Sequence, residues 1–405
     1  MTSETTPTVL DALALATAVA DDLLVATARD THDAISRRVH GVVRLGTGPA
    51  GRPAEVVHRG IASGVYGALG VGLRGASRGL AKAARSGRGP ALESHPAGRF
   101  LSSAVNGLIG EELARERPAL AIRMAVRVGE RDIEPTRPAL TRAFPDASGQ
   151  VVVLLHGLCE HEGHWARGRA ERGTTYPEQL AEAGWTPVLL RANTGLGVRP
   201  NGVALAALLQ RIVDEWPVPV ERLAIVGHSM GGLIARTALA VRAELGGRRS
   251  WVDLVSDVVT LGTPHLGAPL ARTADRGTRA LGRLPESRAF GTFIDRRSIG
   301  IRDLQLGLAE VPPEISGLRY RLVAGSLTAH PRHPVARTLG DLLVTPDSAF
   351  GIDPRGRELF PLADRIHVPR AGHFDLLNHP DVAQPLLRWL AEPSSRPAVD
   401  RSRAG

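Results

Sequence analysis

Residues 227–232 read Gly-His-Ser-Met-Gly-Gly and stand directly between an apolar run, Leu223–Val226, and a helix-forming stretch, Leu233–Val241. Gly-x-Ser-x-Gly in a strand–turn–helix setting constrains the backbone before it constrains any side chain. A sharp turn with small residues on both sides lifts the Ser229 hydroxyl to the top of a sheet, with a helix N-terminus beneath it. Gly227 and Gly231 leave room where strand and helix pass too closely for a Cβ. The letters alone are a weak signal in a chain rich in Gly, Ser and Ala, where a structural turn reads the same. The strand before and the helix after make Ser229 a candidate nucleophile.

The surroundings supply the sheet that such a turn needs. Val151–Leu155 is an unbroken apolar run suited to a central strand covered on both faces. Ile122, Met124, Val126 and Val128 alternate with Arg123, Ala125 and Arg127, the pattern of a half-buried strand. Further strands are expected at 187–191, 222–226, 257–261, 320–324 and 365–368, with helices over 202–216, after Ser229 and over 382–392. This alternation predicts an α/β fold, a mostly parallel sheet with helices on both faces, over residues 120–392. The stretch 268–315 is too long for a simple connection and is expected to form a lid or cap insertion. Within it, Ala289–Phe293 and Ile299–Leu306 offer apolar side chains, either for an acyl pocket or for the cap's own packing.

Residues 1–119 read as an N-terminal α-helical region. An Ala-rich amphipathic helix is expected over 8–29, a second behind Thr31 over 34–43, a third over about 55–86, a loop at 86–96 and a helix over 100–116. The third carries Gly60, Gly64, Gly67, Gly70, Gly72, Gly75 and Gly79. Each glycine costs a helix roughly 1 kcal/mol, so the segment needs packing, a partner or lipid. Arg74, Arg78, Lys82 and Arg85 line one face, with Leu73, Ala76, Leu80 and Ala84 on others. A peripheral contact with an anionic membrane fits this pattern, as does a solvated face on a packed helix. The Pro-, Ser- and Arg-rich tail, 393–405, is expected to be disordered.

The net charge of +9 is carried almost wholly by arginine, Lys82 being the one lysine. No zinc-finger spacing or aromatic-rich RNA-binding motif accompanies it, so no nucleic-acid partner is expected. Asp11, Asp21 and Asp22 interrupt the early apolar residues, unlike a signal peptide. Ile61–Leu73 is shorter than the ~20 residues needed to cross a bilayer. A cytoplasmic protein, membrane-associated at most, is the expectation. The single cysteine, Cys159, excludes an intrachain disulfide and reads as a small packing residue.

A serine hydroxyl needs a base, and the base needs a carboxylate to fix its tautomer. His373 sits between the last expected strand and the last helix; His367, inside the strand, and His379, near the helix, fit less well. The acid should follow the preceding strand, which favours Asp341 with Asp347 as its rival. Backbone donors for an oxyanion are expected at Met230, just after the nucleophile, and at Leu158 in the loop after Val151–Leu155. His265 reads as a local hydrogen-bonder or a substrate contact. His156, Glu160, His161, Glu162 and His164 cluster without metal-ligand spacing, so neither metal nor cofactor is expected.

Taken together, His156-Gly157, Gly227-His-Ser-Met-Gly231, Leu261-Gly-Thr-Pro-His-Leu-Gly-Ala-Pro269, Gly340-Asp-Leu-Leu-Val344 and the late His373 resemble the α/β-hydrolases of the lipase and GPI-inositol-deacylase-like branch. The resemblance spans about 120–391; Leu342 stands where similar lipases commonly have glycine. It implies a metal-free hydrolase that cleaves carboxylic esters, including lipids, through an acyl-enzyme. Thioesters and amides remain open as substrates. So does a helical binding module with a vestigial hydrolase domain. Residues 1–119 carry no resemblance.

Overall fold

A computed structural model describes residues 7–19, 52–85, 90–241, 250–268, 298–308 and 312–393. The helix expected over 34–43, the tail after 393 and most of the 268–315 insertion, including 289–293, lie outside these. The chain divides into two compact units, one made of 1–105, 112–120 and 272–297, the other of 106–111, 121–271 and 298–405.

In the first unit, α1 (Val9–Val19) and α2 (Arg52–Ala84) are joined by a hydrogen bond from the Ser77 hydroxyl to the Ala14 carbonyl, 2.8 Å. Leu73, Leu80 and Ala84 share the Ser77 face of α2 and are half-buried or buried. They are therefore packing residues, the arrangement expected of a cationic face on a packed helix. The outward apolar side chains are instead Val65, Leu69 and Val71, all at least half exposed. Helix α3 (Pro96–Glu116) follows, with Pro96 at its start, where a missing N–H costs nothing.

The second unit is built on one eight-stranded sheet: β1 (Ala125–Val128), β2 (Arg131–Ile133), β3 (Gln150–Leu155), β4 (Thr186–Arg191), β5 (Arg222–His228), β6 (Val255–Leu261), β7 (Arg319–Ser326) and β8 (Asp364–Pro369). The spatial order is β2-β1-β4-β3-β5-β6-β7-β8. All pairings from β4 to β8 are parallel, and the β1–β2 hairpin joins antiparallel at the β4 edge. Strand β1 begins later than the alternation suggested, because the Ile122 amide goes to the Asn106 side chain at 2.8 Å instead of into the ladder.

The unbroken apolar strands are covered on both sides. Val151, Val153, Leu155, Leu223 and Ile225 pack on one face with α6 (Val198–Glu215) and α7 (Met230–Ala240). Val152, Leu154, Ala224 and Val226 pack on the other with α5 (Tyr176–Glu182) and α9 (Pro380–Ala391). Period-2 side-chain alternation therefore feeds two separate cores from each central strand. Two smaller helices complete the numbering, α4 (Arg137–Ala143) and α8 (Ile299–Leu306). The Asp303 carboxylate of α8 accepts from the first amide of α6, Val198, at 2.7 Å.

At the N-terminal ends of the strands lies a buried charge cluster. The Asp257 carboxylate, fully buried, takes Arg222 at 2.8 Å, both arms of Arg319 at 3.1 Å and Arg321 at 3.4 Å. Arg321 continues to Asp364 and Glu392. Removing one member of such a cluster leaves like charges uncompensated. Asp257→Asn is expected to lower the unfolding free energy by about 3–5 kcal/mol, measured by urea titration. A loss below about 1 kcal/mol would mean that the arginines are already neutralised by Asp364 and Glu392.

Candidate active site

Ser229 sits between the C-terminal end of β5 and the first turn of α7, with φ +51° and ψ −120°. That left-handed backbone costs a non-glycine residue energy, and the surroundings must hold it. The Ser229 amide donates to the Leu261 carbonyl at 2.8 Å, and the Thr263 hydroxyl donates to the Ser229 carbonyl at 2.9 Å. A Cβ on Gly227 would lie 2.5 Å from the Gly232 nitrogen, and one on Gly231 would lie 2.4 Å from the Leu155 carbonyl oxygen. Both contacts are with backbone, which cannot give way. The two glycines are what lets β5 turn into α7 beneath β3.

Across the site, the Asp341 carboxylate meets His373 Nδ1 at 2.8 Å, both side chains being almost wholly buried. The second carboxylate oxygen accepts from the Leu343 and Val344 amides at 3.0 and 2.8 Å, so the acid is held by its own turn. The His373 amide donates to the Asp341 carbonyl at 2.9 Å, a second tie between the two loops. Leu342 takes φ +87°, which explains why glycine suits this position and shows that leucine occupies it at some strain. Gly262 lies alongside this ring, since a Cβ there would stand 3.1 Å from His373 Nδ1.

The turn after β3 presses on Ser229 from the third side. A Cβ on Gly157 would lie 2.9 Å from the Ser229 Cβ. The amide of Gly157 goes to the Glu160 carboxylate at 2.8 Å, that of Cys159 to the Thr194 hydroxyl at 3.1 Å and that of Glu160 to the Gly157 carbonyl at 3.2 Å. Among the described residues, the Leu158 amide is the one in this turn not committed to an acceptor. Met230, as the first residue of α7, has an N–H with no carbonyl a turn behind it.

His156 ties two loops together: Nδ1 lies 2.9 Å from the Gly157 carbonyl and Nε2 lies 3.1 Å from the Ala192 amide. A carbonyl can only accept and an amide only donate, so the ring is the neutral Nδ1–H tautomer. Its burial lowers its pKa accordingly. Burial, with the Glu160 charge adding, pushes the Cys159 thiol up to about 11. The sequence cluster around Glu160 thus separates into distinct tasks, with Glu162 paired to Arg127 at 3.1 Å and His161 capping its own short helical turn.

Residues 146–326, from just before β3 to the end of β7, match the family model described as "Putative serine esterase (DUF676)". The sheet order, the strand–Ser229–helix turn and this match agree. The fold is the mostly parallel sheet of an α/β-hydrolase, and residues 146–326 of it are similar to serine esterases. No curated protein matches the hydrolase. Solved structures similar to it include the esterase Pf2001 of Pyrococcus furiosus, 17% identical over 60% of this chain and 82% of that one, TM-score 0.38. Carboxylesterase CesB of Bacillus subtilis is 15% identical over 72% of this chain and 98% of that one, TM-score 0.36. The lin2722 product of Listeria innocua is 14% identical over 62% and 97%, TM-score 0.39.

Of the residues singled out from the sequence, Asp341 and His373 are in direct contact, and Asp347 is not the partner of His373. Ser229 lies against the Gly157–Glu160 turn that carries Leu158. His265 departs from the substrate-contact reading: its ring is fully buried, with Arg236 donating to Nδ1 at 3.2 Å and Nε2 3.3 Å from the Thr260 hydroxyl. Burial, and then the Arg236 charge, push its pKa well below the usual value. It is a neutral packing residue beneath the turn after β6.

Sequence reading passed over a buried pair, Glu160 and His228. The Glu160 carboxylate lies 2.9–3.0 Å from His228 Nδ1, and His228 Nε2 lies 3.2 Å from the His373 carbonyl. The available signals were the Gly157-x-x-Glu160 spacing and a histidine immediately before Ser229. Burial alone would raise the Glu160 carboxyl, but the bound His228 and the Gly157 amide hold it down, to about 2. Its folded pKa is below the unfolded value of 4.5, so its stabilising contribution is present above 4.5 and disappears as pH falls toward about 2. The stability advantage of the parent over Glu160→Gln, measured by chemical denaturation, is therefore expected to be full near neutral pH and to shrink steadily below about pH 4.5. A pH-independent advantage would mean that folding leaves the pKa of this carboxyl unchanged.

Proposed function

We propose that the hydrolase cleaves carboxylic esters, lipid esters among them, by an acyl-enzyme route through Ser229, His373 and Asp341. The observation that carries this reading is the buried 2.8 Å contact between Asp341 and His373 Nδ1, beside a serine on a strained strand-to-helix turn. With Nδ1–H given to the carboxylate, Nε2 is the basic nitrogen of the ring. It takes the hydroxyl proton as Ser229 Oγ attacks the ester carbonyl carbon, and the carbonyl electron pair moves onto oxygen. The Leu158 and Met230 amides receive that oxyanion. Collapse of the intermediate expels the alcohol, which takes the proton from His373. Water then repeats the cycle on the acyl-enzyme and releases the acid.

Ser229→Ala is expected to abolish hydrolysis of short p-nitrophenyl esters, with the parent's circular dichroism and melting behaviour retained. Turnover at more than about a tenth of the parent rate would remove Ser229 from the chemistry, since a lost nucleophile typically costs many orders of magnitude.

A lipid substrate would also need a surface to approach. Helix α2 exposes Val65, Leu69 and Val71 by 60, 50 and 65%, and two turns further along Arg78, Lys82 and Arg85 are exposed, with Val71 and Arg78 on the same face. A helix that exposes apolar side chains along one part and cations along the next suits the interface of an anionic bilayer, and no described helix is long and apolar enough to cross one. The full chain is expected to sediment with vesicles containing phosphatidylglycerol, less as salt rises and less after Arg78→Glu with Lys82→Glu. Equal binding to neutral vesicles, or none to either, would overturn this contact.

A further inference from the structure

His228 occupies an unusual position: it precedes Ser229, is fully buried, and has an acceptor at each ring nitrogen. Nδ1 faces the Glu160 carboxylate and Nε2 faces the His373 carbonyl. Neither acceptor can donate, so both hydrogen bonds form only if both ring nitrogens carry protons. The ring is then an imidazolium. Its counter-charge is Glu160, which is 3% exposed and whose carboxylate also accepts the Gly157 amide. The other ionisable groups around the pair are His156 beside Glu160, and Asp341 and His373 beside His228, with the His373 ring centroid 4.8 Å away.

We infer that the Glu160–His228 ion pair is a positioning device for the hydrolytic reaction, fixing the three segments that deliver the base, the nucleophile and one oxyanion donor. This inference rests on the reading of Ser229 as nucleophile. Glu160 closes the turn that presents the Leu158 amide. His228 is covalently next to Ser229. Its Nε2–H holds the carbonyl of His373, so the backbone that carries the base is anchored to the same ring. Burial works against a charged imidazole, and Glu160 outweighs it, raising the His228 pKa. The pair keeps its charges internal, and no net charge is left beside the place where the oxyanion forms. Taking away His228 alone would leave the Glu160 anion unpaired there, opposing that oxyanion. Taking away both removes the misplaced charge but not the loss of anchoring.

The test compares parent, His228→Gln, Glu160→Gln and the double variant, with active sites counted by fluorophosphonate labelling of Ser229. A purely structural role would lower the number of labelled sites and leave kcat per labelled site unchanged. Positioning predicts kcat per labelled site reduced about 10- to 100-fold in His228→Gln, with KM within about twofold and the double variant faster than His228→Gln alone. Values of kcat per site within about twofold of the parent in all three would overturn the inference. A second measurement does not need an active enzyme or a stable substitution at the pair. In Ser229→Ala protein with 15N-labelled histidine, one ring near pH 7 should show both nitrogens protonated. If no such ring is seen, the ion pair is absent and the inference fails, whatever chemistry Ser229 performs.

Discussion

The approach of β5 to α7 at Gly227 and Gly231 is the constraint on which the rest of the site depends. Backbone lies where either Cβ would go, so this crossing exists only with glycine on both sides of the serine. The crossing forces Ser229 into positive φ and points α7 at the site, with the amide of Met230 at its tip. The strain is distributed over hydrogen bonds from β6 and its loop, through the Leu261 carbonyl and the Thr263 hydroxyl. Those residues in turn flank Gly262, against which the His373 ring packs. One tight turn thus sets the position of groups drawn from four separate loops.

Charge is sorted between the two ends of the sheet. At the N-terminal ends, Asp257 pairs with three arginines from β5 and β7, two of which are shared with Glu392 and one with Asp364. At the C-terminal ends the ionisable groups come in matched buried pairs, Asp341 with His373 and Glu160 with His228. Each pair joins two segments distant in sequence, and each carboxylate also accepts from backbone N–H of its own turn. A carboxylate satisfied in this way has little freedom to swing, which is what a preorganised site requires.

Much of this was legible in the residues. The unbroken apolar run Val151–Leu155 announces a strand covered on both faces, because nothing in it tolerates water. The strand, glycine-flanked serine and helix announce the turn, because few other residues fit that backbone. Asp341 and His373 could be placed by chain order relative to strands. The Glu160–His228 pair could not be read in the same way, since its partners are sixty-eight residues apart and neither breaks a pattern. The hairpin strand β2 is three residues long and mostly charged, below what periodicity can detect. Ile122 reads as strand by alternation and is captured by a side chain, Asn106, that no local rule foretells. On α2, periodicity found the cations and the apolar residues on the other faces but left open whether those faces pack, because only the position of α1 decides which side is covered.

The thiol of Cys159 has a practical bearing on how motion in this molecule can be followed. With its pKa raised to about 11, only about one part in ten thousand is thiolate near neutral pH. Maleimide and iodoacetamide reagents attack the thiolate, so the native sulfur is a poor competitor for them. Spectroscopic labels can therefore be directed to cysteines introduced on the surface while the natural side chain stays in place, sparing the turn that cradles Ser229 from substitution.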